Sequence, residues 1–364
     1  VQTCALPISI IKQQKGNNMK NITKILFVAI TSLSMMFSVN AGELTVNGTA
    51  KATYNSTSGQ NVDTGLGVQN ELNFTASGEM DNGYTWSYSM ELDPSNSASG
   101  QANNDDSQLH LTMNDMGTIK VCVSECGNNK KYKFDQSAYT SMSDTGTSYG
   151  IVYGADSGAA NTATIQYHTP ELPFATKLAI AYSTNTLDGS SGNTAGDTPA
   201  DSINEYSVQS SPIDGLTLHA QYYDLNNYDD GLTITDQEEE GGSYAATYSM
   251  GNATIGYGKS LKAVSDTSTT RSDGATQVEY YETTGISIGY AVNDDLSVSY
   301  SQETSEANYQ TSTTTSYDVE MDSIQIAYSL GGATLSIARA DVENVGYVQN
   351  TDLTETIIAM SFAF

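Results

Sequence analysis

Large apolar and small polar side chains alternate with a period of two along much of this chain. From Tyr84 to Leu92 every even position is large and apolar, whereas the odd positions carry Thr, Ser or Glu. The same alternation returns at residues 216–223 and 296–301. Successive side chains of a β-strand point to opposite faces of a sheet, so the pattern predicts strands with one apolar and one polar face.

Short turn signals separate these alternating segments in pairs. They are rich in Asn, Asp and Gly, which supply the backbone angles of tight hairpins, and lie at 81–83, 114–117, 170–173, 213–215, 251–252, 293–295 and 331–332. Longer polar stretches lie between successive pairs, near 55–65, 94–106, 126–161, 185–202, 226–241, 263–277, 306–316 and 344–352. The pattern predicts an all-β fold, a 16-stranded antiparallel transmembrane β-barrel with short turns on one side and long loops on the other.

The composition is compatible with a barrel. Hydrophobic residues make up 38% of the chain, which is low for an ordinary packed core but sufficient around a water-filled lumen. After residue 41, no segment approaches the roughly 18 apolar residues of a membrane helix, so a membrane-spanning form would have to be a barrel. A secreted, Tyr-rich β-sandwich or adhesin is the alternative fold, but it does not predict strictly alternating long and short connections.

The N-terminal region has the features of an export signal. Met19 opens a short basic region, an apolar stretch follows at 25–37, and small residues precede Gly42. We therefore interpret 1–18 as a non-native upstream segment, 19–41 as a signal peptide and 42–364 as the mature barrel. Loss of the leader leaves 10 basic against 42 acidic residues, a formal net charge of −32. Such acidity argues against a nucleic-acid partner.

The end of the chain carries a family resemblance. In the alternating strand from Leu353, the last large apolar position is the terminal Phe364, and Tyr167 to Pro170 is similar to a strand ending in Tyr-x-Ser-Pro. Both features resemble the general Gram-negative outer-membrane porins, the 16-stranded trimeric diffusion porins, and the resemblance covers 42–364 mainly in topology. It implies an outer-membrane location, a homotrimer, a third loop folded into the lumen, and a Phe364 that the barrel-assembly machinery recognises.

The third long connection, 126–161, is the longest, and the resemblance implies that it narrows the pore. The chain departs from the family here, because the loop lacks a Pro-Glu-Phe-Gly-Gly segment and the only arginines are Arg271 and Arg339. Charges at a constriction set ion preference. The constriction candidates are Lys130, Lys131, Lys133, Asp135 and Asp144, with Lys51, Glu71, Glu91, Lys120 and Lys177 as candidates for the lumen wall. The lysines favour anions locally and the acidic vestibules favour cations, while a solvated loop tip is the alternative for each lysine.

Cys122 and Cys126 are the only cysteines after the leader. An exported protein favours a disulfide, which requires the chain to turn between them; two free thiols or a metal site are the alternatives. The three histidines fall on strands that are not neighbours, so no zinc site is expected.

Two further features concern the outer surface. The acidic runs at 229–230 and 238–240 could bridge through divalent cations to lipopolysaccharide, or could form a solvated loop. The strand phase points Arg339 at lipid, which would cost about 2–4 kcal/mol at the midplane. A bulge or a position near the upper rim would remove that conflict.

No nucleophile elbow, phosphate loop or zinc-protease motif occurs, so neither catalysis nor a cofactor is expected. The sequence predicts a porin that passes small hydrophilic solutes and ions by passive diffusion, surrounded by outer-membrane lipid and lipopolysaccharide. A non-transporting surface barrel with a plugged lumen and a substrate-specific channel are the alternatives.

Overall fold

A computed structural model defines the fold of the chain. It describes residues 42–59, 64–94, 102–123, 134–140, 164–184, 202–226, 240–263, 278–309 and 315–364. Sixteen β-strands lie within these ranges. They are β1 Glu43–Gly59, β2 Thr64–Glu79, β3 Thr85–Pro94, β4 Ala102–Thr112, β5 Thr118–Val123, β6 Thr164–His168, β7 Lys177–Thr184, β8 Ser202–Ile213, β9 Leu216–Asn226, β10 Glu240–Met250, β11 Ala253–Ala263, β12 Val278–Ala291, β13 Leu296–Tyr309, β14 Val319–Ser329, β15 Ala333–Glu343 and β16 Leu353–Ala363.

The strands form one closed antiparallel barrel, which confirms the predicted fold class. Each strand pairs with the next along the chain, and β16 returns to pair with β1. That seam runs from Thr49 opposite Ala363 to Gly59 opposite Leu353. The described residues contain no helix long and apolar enough to cross a membrane.

The two faces of the barrel wall differ as the alternation predicted. On β16, Ile357 and Ala359 are buried inside, whereas Ile358 and Met360 are exposed on the outer face. On β9, Leu218 and Tyr222 face outward, and the buried His219, Gln221 and Tyr223 face inward. The outer face is therefore apolar and the inner face largely polar, as a lipid-embedded barrel requires.

All seven predicted tight turns join consecutive strands. Gly83 and Gly251 adopt positive φ angles of 81° and 60° in two of them, a backbone conformation that glycine reaches without steric cost. The predicted bounds of three long loops were wrong, because β1 runs on to Gly59, β13 runs on to Tyr309, and β4 already begins at Ala102. Polar Asn, Ser and Thr residues at these strand ends look like loop in sequence, but here they continue the ladder.

The eighth long connection packs onto the inner wall. Its turn Val345–Tyr347 covers a cluster of inward-facing apolar side chains, and the Tyr347 hydroxyl lies 2.7 Å from Ser305 Oγ. The cluster consists of Val319, Met321, Val342 and Leu353, all buried. An apolar group on the inner face is thereby shielded from the water of the lumen.

Arg339 faces outward, and no bulge turns it inward. The β14–β15 register is continuous through Arg339 opposite Ile324. Its guanidinium forms a bidentate pair with Asp341, with Nη2 to Oδ1 at 3.0 Å and Nε to Oδ2 at 3.1 Å. Asp341 lies on the same strand, two residues nearer the long-loop end, and its carboxylate neutralises the charge of Arg339.

Candidate pore constriction

The described part of the third connection, Phe134–Thr140, lies against the inner face of the wall. Its seven residues contact seven consecutive strands, from β11 through β16 to β1. All of these contacts come from residues on the inner face of the wall. The segment therefore crosses the inside of the barrel along the wall.

Phe134 marks one end of this crossing. Its side chain is 4% exposed and lies over Gly256 and Gly258 of β11 and Gly285 of β12. A Cβ added at any of the three glycines would overlap Phe134. We call these three glycines the Phe134 socket, because the missing side chains create the space that the ring and its backbone occupy.

Asp135 follows the socket and binds wall hydroxyls. Its Oδ1 accepts hydrogen bonds from Ser287 Oγ at 3.3 Å and from Ser301 Oγ at 3.2 Å. It also accepts from Ser137, with the backbone N at 3.0 Å and Oγ at 2.6 Å. Several donors to one carboxylate hold the charged group against the wall.

The far end of the segment is held by Gln325 of β14, which is fully buried. Gln325 Oε1 accepts hydrogen bonds from the backbone N–H groups of Tyr139 at 2.9 Å and Thr140 at 3.1 Å. Its Nε2 donates to the Thr140 carbonyl at 2.8 Å. One side chain thus satisfies three backbone groups that would otherwise lie away from any ladder.

Tyr139 lies between two parts of the wall. Its ring packs against Ala338, Ile357 and Ala359. On the β1 side, Lys51 Nζ lies 5.7 Å from the centroid of the ring, within the range of a cation–π contact. Lys51, predicted from strand phase to line the wall, therefore meets the third connection directly.

The other predicted wall residues lie on the inner phase of their strands. Glu71 pairs with Thr49, next to Lys51 on the wall, and Glu91 pairs with Asn73. Lys120 lies between His110 and Gln166 in the ladder. Lys177 lies near a tight turn, with Nζ 4.0 Å from Glu171 Oε2, and both side chains are exposed. Of the five predicted wall residues, Lys51 and Glu71 therefore lie closest to Phe134–Thr140.

The remaining candidates are described only in part. Lys130, Lys131, Lys133 and Asp144 lie outside the described residues, as do the acidic runs of the fifth loop. Cys122 is fully buried and disulfide-bonded, and its partner also lies outside that part of the chain, so the pairing with Cys126 stays a prediction. Among the described residues, no group of three or more His, Cys, Asp or Glu could hold a metal ion.

Sequence reasoning missed the residues that hold the segment to the wall. The Phe134 socket, the serines of β12 and β13, Gln325 and Tyr139 were not predicted. One signal was present, since Gly256 and Gly258 recur on the same face of a predicted strand. Glycine inside a strand marks a close approach by another part of the chain.

Comparison with known proteins agrees with this geometry. A family model described as Gram-negative porin matches residues 28–350. No curated protein sequence matches the chain.

Several solved porin structures share the fold. A porin refined at 1.8 Å resolution is similar at 17% identity and a TM-score of 0.62, covering 88% of this chain and all of that one. Salmonella typhi OmpF, solved in complex with daunomycin, gives 14% identity and a TM-score of 0.68, covering 90% of this chain and 100% of that one. Vibrio cholerae OmpT, in its trimer form, gives 13% identity and a TM-score of 0.63, covering 89% of this chain and 100% of that one.

The chain forms a closed 16-stranded barrel with an apolar exterior and a polar interior, and part of its third connection lies inside. The family model matches most of the chain. The protein therefore belongs to the Gram-negative porin family and is an outer-membrane diffusion channel.

Proposed function

We propose that the channel passes small hydrophilic solutes and ions passively, and that the third connection forms its narrowest section. The observation that carries this proposal is the fixed course of Phe134–Thr140 along the inner wall from β11 to β1. A segment held by buried side chains at both ends keeps one position while solutes pass. A lumen narrowed in this way would sieve by size and select by charge.

The chemistry of the inner wall supports a hydrophilic path. Buried residues on the inner face include hydroxyl and amide side chains from many strands, among them Ser207, Gln221, Ser243, Ser260, Thr283, Ser299 and Ser336. Such groups make the inner layer of the wall hydrophilic. Polar interiors of this kind distinguish water-filled barrels from barrels with a packed core. No catalytic step is part of the proposal.

We further propose a homotrimer in which each protomer has its own pore. The trimer form of Vibrio cholerae OmpT, which shares the fold, supports this assembly. We also propose that lipopolysaccharide surrounds the outer face and that the barrel-assembly machinery recognises Phe364. The exposed outward side chains of Met360, Phe362 and Phe364 support insertion of this strand in lipid.

Single-channel recording tests the proposal. The refolded mature protein, inserted into a planar bilayer with a salt gradient across it, should give stepwise openings, in groups of three for a trimer. The reversal potential then measures the ratio of cation to anion permeability. A barrel that resists denaturation but conducts nothing would instead support a plugged surface barrel.

A further inference from the structure

A polar cavity lies between the third connection and the wall. Its volume is about 360 Å³, and it is bounded by Tyr139 on one side and by β1, β2, β15 and β16 on the other. The side chains that give it its chemistry are Lys51, Gln69, Glu71, Ser336 and Ser361. This volume accommodates a small solute together with several waters, each of which takes about 30 Å³ in the liquid.

The cavity has a fixed aromatic side. Gln325 holds the Tyr139 backbone, with Oε1 2.9 Å from its N, and the ring packs on Ala338, Ile357 and Ala359. The Lys51 ammonium lies over the same ring, 5.7 Å from its centroid. A bound solute would therefore meet a preorganised surface, which lowers the entropic cost of binding.

The cavity contains opposite charges that are not joined to each other. Glu71 pairs with Thr49 and Gln69 with Lys51, so Lys51 and Glu71 are diagonal neighbours on one face of the β1–β2 ladder. Diagonal neighbours in antiparallel sheets are about 7–8 Å apart. Within the described residues no ion pair involves either one; Glu71 Oε2 accepts only a long hydrogen bond of 3.4 Å from Thr49 Oγ1.

We propose that this cavity is a binding site for small zwitterionic solutes, of which free amino acids are the simplest class. The Lys51 ammonium would bind the carboxylate of the solute, and the Glu71 carboxylate would bind its ammonium group. Hydroxyl and amide groups of Ser336, Ser361 and Gln69 are available for further hydrogen bonds. The inference rests on the proposed function, since the site lies within the lumen and fills from the solution that passes through it.

The paired charges select against other solutes. A simple anion is attracted by Lys51 but repelled by Glu71, and a simple cation is attracted by Glu71 but repelled by Lys51. A neutral solute leaves both charges without a counter-charge. Only a solute with both charges satisfies the two groups at once, and charge-assisted hydrogen bonds are the strong ones.

Conductance measurements with alanine as the probe test the site. At constant KCl, the wild-type channel should lose conductance with added alanine along a saturating curve, because a bound solute obstructs ion flow. Lys51→Gln and Glu71→Gln should each raise the half-saturating alanine concentration by about tenfold, as expected for loss of one charge-assisted hydrogen bond. Glu79→Gln is the matched control, since Glu79 lies on the same face of β2, near the tight turn and away from the cavity.

Glycerol, a neutral solute of similar size, should reduce conductance without saturation. Saturation by glycerol at the same concentrations would overturn the zwitterionic class, and saturation by alanine that survives both substitutions would overturn the location. A conducting channel with a non-saturating response to alanine would remove the binding site and leave the diffusion channel intact. A refolded protein that gives no conductance would contradict both the binding site and the diffusion channel.

Discussion

Phe134 lies against the wall because three residues there have no side chain. Gly256, Gly258 and Gly285 come from two neighbouring strands that meet in the ladder, where Gly258 is directly opposite Gly285. A glycine in a strand costs conformational entropy relative to alanine, roughly 0.5–1 kcal/mol. At these positions the burial of a phenylalanine side chain offsets that cost, since it contributes about 1.5–3 kcal/mol.

Gly285→Ala should displace Phe134. The added methyl would overlap the ring, and overpacking of this kind costs about 1–3 kcal/mol. Because the ring can move only toward the lumen, we expect lower single-channel conductance and more open-channel noise, measured in a planar bilayer. Gly65→Ala is the control, since a Cβ at Gly65 meets no atom within 4 Å. The same conductance in Gly285→Ala as in Gly65→Ala would contradict the role of the Phe134 socket.

At the scale of elements, the strands were predictable and the anchoring of the third connection was not. The seven turn signals set the number of strands. The two-residue periodicity sets which side chains face outward, because a one-residue slip would expose apolar side chains such as Ile358 to the lumen. The course of residues 134–140 depends on side chains more than a hundred positions away, including Ser299 and Gln325. Local pattern marks at most a close approach, at Gly256 and Gly258, and does not identify the segment that makes it.

The anchoring by Gln325 can be measured by hydrogen exchange. Gln325→Ala removes one acceptor and one donor, so the amides of Tyr139 and Thr140 should exchange faster by about five- to thirtyfold, the equivalent of 1–2 kcal/mol. Mass spectrometry of the peptide containing both amides gives the rate. Gln302→Ala is the control, because Gln302 lies on the outer face of β13, opposite Asp322. Equal exchange rates in wild type and Gln325→Ala would contradict the role of this residue.

The charge of the third connection makes a second prediction at this scale. Replacing Lys130, Lys131 and Lys133 together by Glu should raise the cation over anion permeability, because charge near a constriction acts in a low-dielectric surrounding. The reversal potential in a salt gradient measures the change. Replacement of Lys177 by Glu, at the exposed turn end, should shift it less. An unchanged reversal potential in the triple variant would place these lysines away from the pore.

At the scale of the whole molecule, the closing contact joins the two ends of the barrel. Phe364 exchanges two backbone hydrogen bonds with Gly48, at 2.8 and 3.0 Å, while the residue as a whole is 68% exposed, on the outer face. The backbone therefore closes the ladder, and the ring is left available to lipid or to a recognition surface.

Phe364→Ser separates these two roles. The backbone bonds are kept, so refolding into detergent should proceed with a similar yield of heat-resistant barrel. Assembly in cells should fall severalfold if the ring is a recognition mark, as seen by the amount of folded protein in outer-membrane fractions. Tyr290→Ser, which removes an exposed outer-face ring from β12, is the control. Equal assembly of both variants would contradict a special role for Phe364.

The β1–β16 seam also determines the order in which the barrel can be completed. Asn55 of β1 donates a hydrogen bond to Glu355 of β16, a partner 300 residues later in the chain. Until β16 is translocated, one edge of β1 has backbone N–H and C=O groups without a strand partner, and such edges readily pair with other chains. Contacts of such sequence separation also form slowly. The seam can therefore form only after the whole chain has been exported, and the unpaired edge of β1 persists until then.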